Sequence, residues 1–141
     1  MVGDANDAIY TIDRETGVAT RIGSSTDFGV NQSTPRGIAW DGENLFMIGQ
    51  NPPALYRVNR TSGVATRVGS STAFGATELQ PSGLAWDGSN LFMVANSHDA
   101  LYTLNRTTGV ATRVGSANQF GARESSPQGI AWDGELSLIH I

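Results

Sequence analysis

The chain contains no cysteine, no lysine and no long apolar run, and each absence removes a class of protein. Without cysteine there are no disulfides and no thiolate metal sites. All nine basic residues are arginines, scattered among thirteen acidic ones for a formal net charge of −4. With no basic stripe, neither nucleic acid nor an anionic membrane surface is an expected partner. No run of about 18 apolar residues occurs, and the first residues do not read as a charged and then apolar leader, so neither a membrane span nor a signal peptide is expected. No segment spaces its apolar residues at helical intervals.

What the chain has instead is repetition. Gly37-Ile38-Ala39-Trp40-Asp41-Gly42 returns as Gly83-Leu84-Ala85-Trp86-Asp87-Gly88 and again as Gly129-Ile130-Ala131-Trp132-Asp133-Gly134. The interval from Trp40 to Trp86 and from Trp86 to Trp132 is 46 residues, without a gap. Tyr10, Tyr56 and Tyr102 keep the same register, as do Gly17, Gly63 and Gly109, Phe28, Phe74 and Phe120, and Pro35, Pro81 and Pro127. A period of about 20 to 50 residues marks a stacked or circular repeat architecture, in which no unit buries its apolar face alone.

Each period reads as four short strands. In the central copy strand A is Gly37 to Trp40, B is Leu45 to Gly49, C is Ala54 to Asn59 and D is Val64 to Gly69. Asp41-Gly42-Glu43-Asn44 and Arg60-Thr61-Ser62-Gly63 are short connections of the type that closes antiparallel hairpins. The B to C link through Gln50-Asn51-Pro52-Pro53 and the D to A link from Ser70 to Ser82 read as longer loops. Strand A is apolar or small throughout and suits the deepest position; D alternates and suits an outer strand with one wet face. Four-stranded antiparallel units of this length, chained by loops, predict an all-β fold: a β-propeller of four-stranded antiparallel blades, with three blade equivalents in the chain.

Residues 1–36 supply strands C and D of a split blade plus a connection, 37–82 and 83–128 are whole blades, and 129–141 supply strands A and B of another split blade. An open arc exposes strand edges and apolar flanks. Propellers run from about four to eight blades, so closure on itself with three is sterically poor. Head-to-tail association with further copies is the expected remedy, giving a homodimer ring of six blades in preference to a homotrimer ring of nine. One irregularity lies in the tail, where Leu136-Ser137-Leu138-Ile139-His140-Ile141 stands in place of the Asn-Leu-Phe-Met pattern of the other B strands. Its last three residues share repeat positions with Met1 to Gly3, so one of the two ends must yield in a ring.

The run Leu101-Tyr102-Thr103-Leu104-Asn105-Arg106-Thr107-Thr108-Gly109-Val110-Ala111-Thr112-Arg113-Val114-Gly115, followed after a loop by Gly-Ile-Ala-Trp-Asp-Gly, resembles the highly repetitive β-propeller arrays whose blades were amplified from one ancestral unit. The resemblance extends to Glu135. It implies the propeller fold and a role as a binding or assembly scaffold. The Trp-Asp pair does not indicate the Trp-Asp repeat family, which carries that pair at the end of its third strand and a Gly-His earlier in the blade; here the pair precedes the first hairpin and Gly-His does not occur.

The repeated polar and aromatic residues have structural readings that outweigh functional ones. Asp41, Asp87 and Asp133 each precede Gly and suit turns in which the carboxylate accepts backbone N–H groups, in preference to a ring of metal ligands. Trp40, Trp86 and Trp132 suit packing wedges between blades rather than a stacking pocket for sugars. His98 and His140 occupy unlike positions and form no catalytic pair. Asn31, Asn59 and Asn105 open glycosylation-type triplets, although the first copy carries Asp13 where the other two have Asn59 and Asn105, which favours turn chemistry. No catalytic residue, metal or cofactor is expected, and near-identical blades disfavour the asymmetric site that an enzyme needs.

The copies differ most in the B to C loops (Gly3 to Asp7, Gly49 to Pro53, Ala95 to Asp99) and the D to A loops (Val30 to Arg36, Ala76 to Ser82, Ala122 to Gln128). In a propeller both kinds emerge on one face, and varied loops on a fixed frame suit a binding surface. Its candidate ligand-binding groups are Arg36, Asn51, Gln80, Asn96, His98, Arg123 and Gln128, with a glycan or protein as ligand. The expected function is a non-catalytic scaffold or binding module; the alternative is a carbohydrate-binding lectin with one equivalent site per blade.

Overall fold

The structure is a computed structural model that describes residues 2–3, 8–24, 28, 33–70, 74, 80–115, 126–135 and 137–140. The described residues form thirteen strands in four antiparallel sheets. The first holds β1 (Val2–Gly3), β2 (Ala8–Ile12) and β3 (Ala19–Arg21) in that order. The second holds β4 (Ser33–Trp40), β5 (Leu45–Asn51), β6 (Pro53–Val58) and β7 (Ala65–Arg67), and the third β8 (Pro81–Trp86), β9 (Leu91–Ala95), β10 (Ala100–Leu104) and β11 (Ala111–Arg113). The fourth pairs β12 (Gly129–Trp132) with β13 (Ser137–His140). In each four-stranded sheet the strands lie side by side in chain order.

Local chemistry closes the hairpins. Asp41 Oδ1 accepts the backbone N–H of Glu43 at 2.9 Å and of Asn44 at 2.6 Å, while Gly42 supplies a φ of 98°. Asp87 accepts from Ser89 and Asn90 at 2.7 and 2.6 Å in the same way. The second hairpin of each unit turns on another short polar side chain: Asn59 Oδ1 accepts from Thr61 and Ser62, Asn105 from Thr107 and Thr108, and Asp13 from Glu15 and Thr16. Such turns form because a side-chain oxygen two or three residues back satisfies N–H groups that the reversal of the chain leaves unpaired.

Two connections depart from the sequence reading. The link expected from Gln50 to Pro53 is tight, since β5 runs on to Asn51 and Gln50 pairs with Pro53. Strand A begins earlier than Gly37, with Pro35 opposite Gly49 and Pro81 opposite Ala95. The register shifts between Pro35 and Gly37 and between Pro81 and Gly83, so Arg36 and Ser82 are bulge residues rather than loop residues. Proline donates no ladder hydrogen bond, and a bulge beside it accommodates that gap.

The sheets pack face to face, and their first strands come closest, β4 against β8 and β8 against β12. A Cβ placed on Gly37 would lie 2.7 Å from Leu84 N, and one on Gly83 would lie 2.8 Å from Gly129 Cα. The first glycine of the repeated hexapeptide is thus a place where two backbones touch. In the third sheet burial falls from the first strand to the last, β8 being buried along nearly its whole length and β11 only half-buried. In the second sheet β5 is buried more fully than β4, so the expectation that strand A lies deepest holds for the third sheet and not for the second. Two apolar clusters fill the spaces between sheets. Ile9, Phe28, Met47, Tyr56 and Val58 join the first to the second. Phe46, Ile48, Leu55, Phe74, Met93 and Leu104 join the second to the third. Phe28 and Phe74 are fully buried, which anchors the D to A connections at one point each.

Candidate functional site

Of the seven candidate binding residues, the structure brings three together. Arg36 Nε donates to Gln50 Oε1 at 2.9 Å, and Gln50 Nε2 donates to the carbonyl of Pro81 in the next sheet at 3.2 Å. Gln50, Asn51 and Gln80, with Thr34 and Pro53, line a cleft of about 280 Å³. Asn51 and Gln80 are both exposed, and the lining is mainly amide and hydroxyl. Sequence reasoning missed Gln50, which fixes the arginine and bridges the two sheets. Its signal was weak, because Ala95-Asn96 and Gly49-Gln50 occupy the same repeat positions and only the second pair offers a long amide.

The other candidates form a looser group on the third unit. The backbone of Gln80 donates to Ser97 Oγ at 3.1 Å and its carbonyl accepts from Asn96 N, so the start of β8 is tied to the turn after β9. Ser97 Oγ lies 3.2 Å from His98 Nδ1. Asn96 is half-buried and its Oδ1 is enclosed without a hydrogen-bond partner among the described residues. Asp99 Oδ1 accepts from Ser126 N at 2.7 Å, and Gln128 donates to the Ser126 carbonyl. Gln128 and His98 are exposed. Arg123 lies outside the described residues. Among the described residues no three of the His, Asp and Glu side chains cluster.

At the hairpin face the repeated Trp and Asp residues enter a different arrangement. The guanidinium of Arg106 lies 4.5 Å from the centroid of the Trp86 ring, and that of Arg60 stands at the same distance over Trp40. Arg106 Nη1 also makes an ion pair with Asp41 Oδ2, 65 residues away in the preceding sheet. One guanidinium therefore caps the indole of its own sheet and grips the turn carboxylate of the sheet before it. Burial pushes the Asp41 carboxyl up, but the N–H groups of Asn44 and Glu43 and the Arg106 guanidinium outweigh it and hold it below the ordinary carboxylate value. The Asp87 carboxyl is also held low, first by the Asn90 N–H and then, against some burial, by that of Ser89.

The tryptophans sit at the rims of the sheets. Trp86 packs at the edge of its apolar cluster and Trp132 is half-buried, whereas Trp40 is 42% exposed. Arg60 and Arg106 were not among the residues singled out from the sequence, although Arg14, Arg60 and Arg106 recur at the interval of the Trp and Asp residues. That shared interval was the available signal.

Neither the protein-family models nor the curated proteins with which the chain was compared include a match.

Proposed function

We propose that the chain is a non-catalytic β-propeller scaffold or binding module that closes into a ring by joining head to tail with further copies, six blades as a dimer or nine as a trimer. The observation that carries this reading is an unequal pair of strand edges. In the second and third sheets the B strand lies along the whole of strand C, from Leu45 opposite Val58 to Gly49 opposite Ala54 and from Leu91 opposite Leu104 to Ala95 opposite Ala100. In the first sheet the described ladder of β1 on β2 holds Val2 opposite Ile9 and Gly3 opposite Ala8. Ile12 is 47% exposed, whereas its equivalents Val58 and Leu104 are buried.

The strand that fits the remaining edge is β13 of a second copy. Its register on β12 places Ser137, Leu138 and Ile139 at the positions of Leu91, Phe92 and Met93. The B to C ladder of the third sheet then sets Ser137 opposite Ile12, Leu138 opposite Thr11 and Ile139 opposite Tyr10. In this arrangement β1 keeps Ala8 and Ile9, and the incoming strand yields at His140. Strand addition of this kind satisfies backbone groups and covers apolar surface in one step. Beside β2 a cavity of about 480 Å³ lies between Ile9, Thr11 and Ile22 on one side and Leu45 and Arg60 on the other, where the completed sheet would pack.

Native mass measurement tests the reading. A species near twice or three times the chain mass of 14.9 kDa is expected. A chain that stays single at high concentration overturns it. The amide-lined cleft at Gln50, Asn51 and Gln80 favours a polyhydroxylated ligand as the second reading, since paired amide donors and acceptors suit sugar hydroxyls. A glycan array decides that point: signal lost in Asn51→Ala supports a lectin site, and a blank array leaves the scaffold.

A further inference from the structure

Building on the ring proposed above, we infer that the junction between copies is made specific by two Trp–Arg–Asp latches whose parts this chain holds separately. The complete latch inside the chain defines the rule. Trp86 and Arg106 come from one sheet and Asp41 from the sheet before it, the arginine lying over the indole while it pairs with the carboxylate. Applied one repeat earlier, the rule uses Trp40 and Arg60, and these two already stand in the same geometry at 4.5 Å. Their carboxylate would come from a preceding A to B turn, and the repeat-equivalent residue is Asp133 of a second copy. Applied one repeat later, the rule joins Trp132 and Asp87 to an arginine of the next C to D turn. The equivalent residue there is Arg14 of that second copy, since Asp13-Arg14-Glu15-Thr16-Gly17 occupies the place of Asn105-Arg106-Thr107-Thr108-Gly109.

Three tryptophans, three turn aspartates and three turn arginines make three latches per chain, one within it and two across each junction. The described contacts of Asp87 lie in its own turn, Oδ1 accepting from Ser89 N and Asn90 N and Oδ2 from Asn90 Nδ2 at 3.3 Å, and Oδ2 can accept a second donor such as an incoming guanidinium. Arg14 is exposed. Charge complementarity at the junction follows, with the arginines of the first sheets meeting the aspartates of the last two.

Steric evidence points to the same occupant. Gly23 and Gly69, at the ends of two D strands, lie directly under the carbonyls of Ser62 and Thr108 in the C to D turn of the next sheet. Gly115 holds the same backbone, with a φ of 68°, and has nothing within 4 Å at its Cβ position among the described residues. The turn that would cover it is the one at Thr16, beside Arg14. Val114, next to Gly115, is 43% exposed where its equivalent Val68 is half-buried against the apolar cluster shared by the second and third sheets. The second copy therefore carries both the charged group for Asp87 and the turn that fits over Gly115.

The test is a charge exchange read by sedimentation velocity over a concentration series. Arg14→Glu and Asp87→Arg should each raise the dissociation constant by on the order of a hundredfold, because like charges then face each other at a contact that docking desolvates. The double variant Arg14→Glu with Asp87→Arg should return to within about tenfold of the parent, since the pair is restored with its polarity reversed. If the parent chain does not associate, the ring reading fails and this inference fails with it. If the parent associates and the single variants leave the dissociation constant unchanged, or the double variant recovers nothing, the latch is overturned while the ring stands. Should either single variant fold poorly by circular dichroism, the second latch gives the same test through Arg60→Glu and Asp133→Arg, alone and together.

Discussion

Gly83→Ala sets two opposing effects against each other, and the structure fixes which wins. Replacing glycine where the backbone suits alanine removes freedom from the unfolded chain and stabilises by about 0.4–1 kcal/mol. Gly83 lies in β8 without a left-handed φ, so this gain is available in principle. The added methyl, however, would lie 2.8 Å from Gly129 Cα, 2.9 Å from Ile130 N and 3.0 Å from Gly129 C. Carbon atoms pack best at about 3.5–4.0 Å, so β12 must retreat by about 1 Å, and the atoms in the way are backbone that no rotamer change can move. Overpacking of this kind costs about 1–3 kcal/mol, and the net expectation is a loss of roughly 0.5–2 kcal/mol. With an unfolding entropy of about 2.1 cal/mol/K per residue, that loss lowers the melting temperature by about 2–7 °C. Equilibrium urea unfolding of the variant beside its parent, with a thermal scan on the same samples, measures it. A gain in stability would refute the reasoning, since it is the result for a glycine with open space, and the close approach of the first strands would be lost with it.

Two further outcomes are expected. Phe46 is 3% exposed between the second and third sheets, so Phe46→Ala should cost about 3–5 kcal/mol in urea unfolding, whereas Phe92→Ala, at the same repeat position but half-buried, should cost about half as much when measured on single chains at high dilution. Equal losses at the two sites would contradict the packing described for them. Asp41 titrates lower folded than unfolded, so its stabilising contribution is full above an unfolded value of about 3.9 and disappears as pH falls through the folded one. Asp41→Asn should therefore flatten the dependence of the urea midpoint on pH below about 4, and a slope identical to the parent's would count against the carboxylate's role.

The strand pattern was legible because its causes are local. Asp-Gly in the first hairpin, and Asn or Asp followed four residues later by Gly in the second, close turns through hydrogen bonds spanning two or three residues. Strands bounded by such turns follow in order, and the four-stranded antiparallel sheets agree with that reading. The candidate site was legible only in part. Asn51 and Gln80 line one cleft and Arg36 reaches it through Gln50, but a cleft between two sheets depends on which side chains they present to each other, and no local signal carries that.

By itself the sequence determined where the chain turns and which segments pair in order, because hydrogen-bonding reach and side-chain alternation act over a few residues. Only the tertiary structure decided that Arg36 and Ser82 sit in bulges, that Gly37 and Gly83 mark contact between backbones, and that Arg106 caps Trp86 while gripping Asp41. These features arise where sheets meet, between residues far apart in the chain, and their energies depend on distances that no reading along one strand contains.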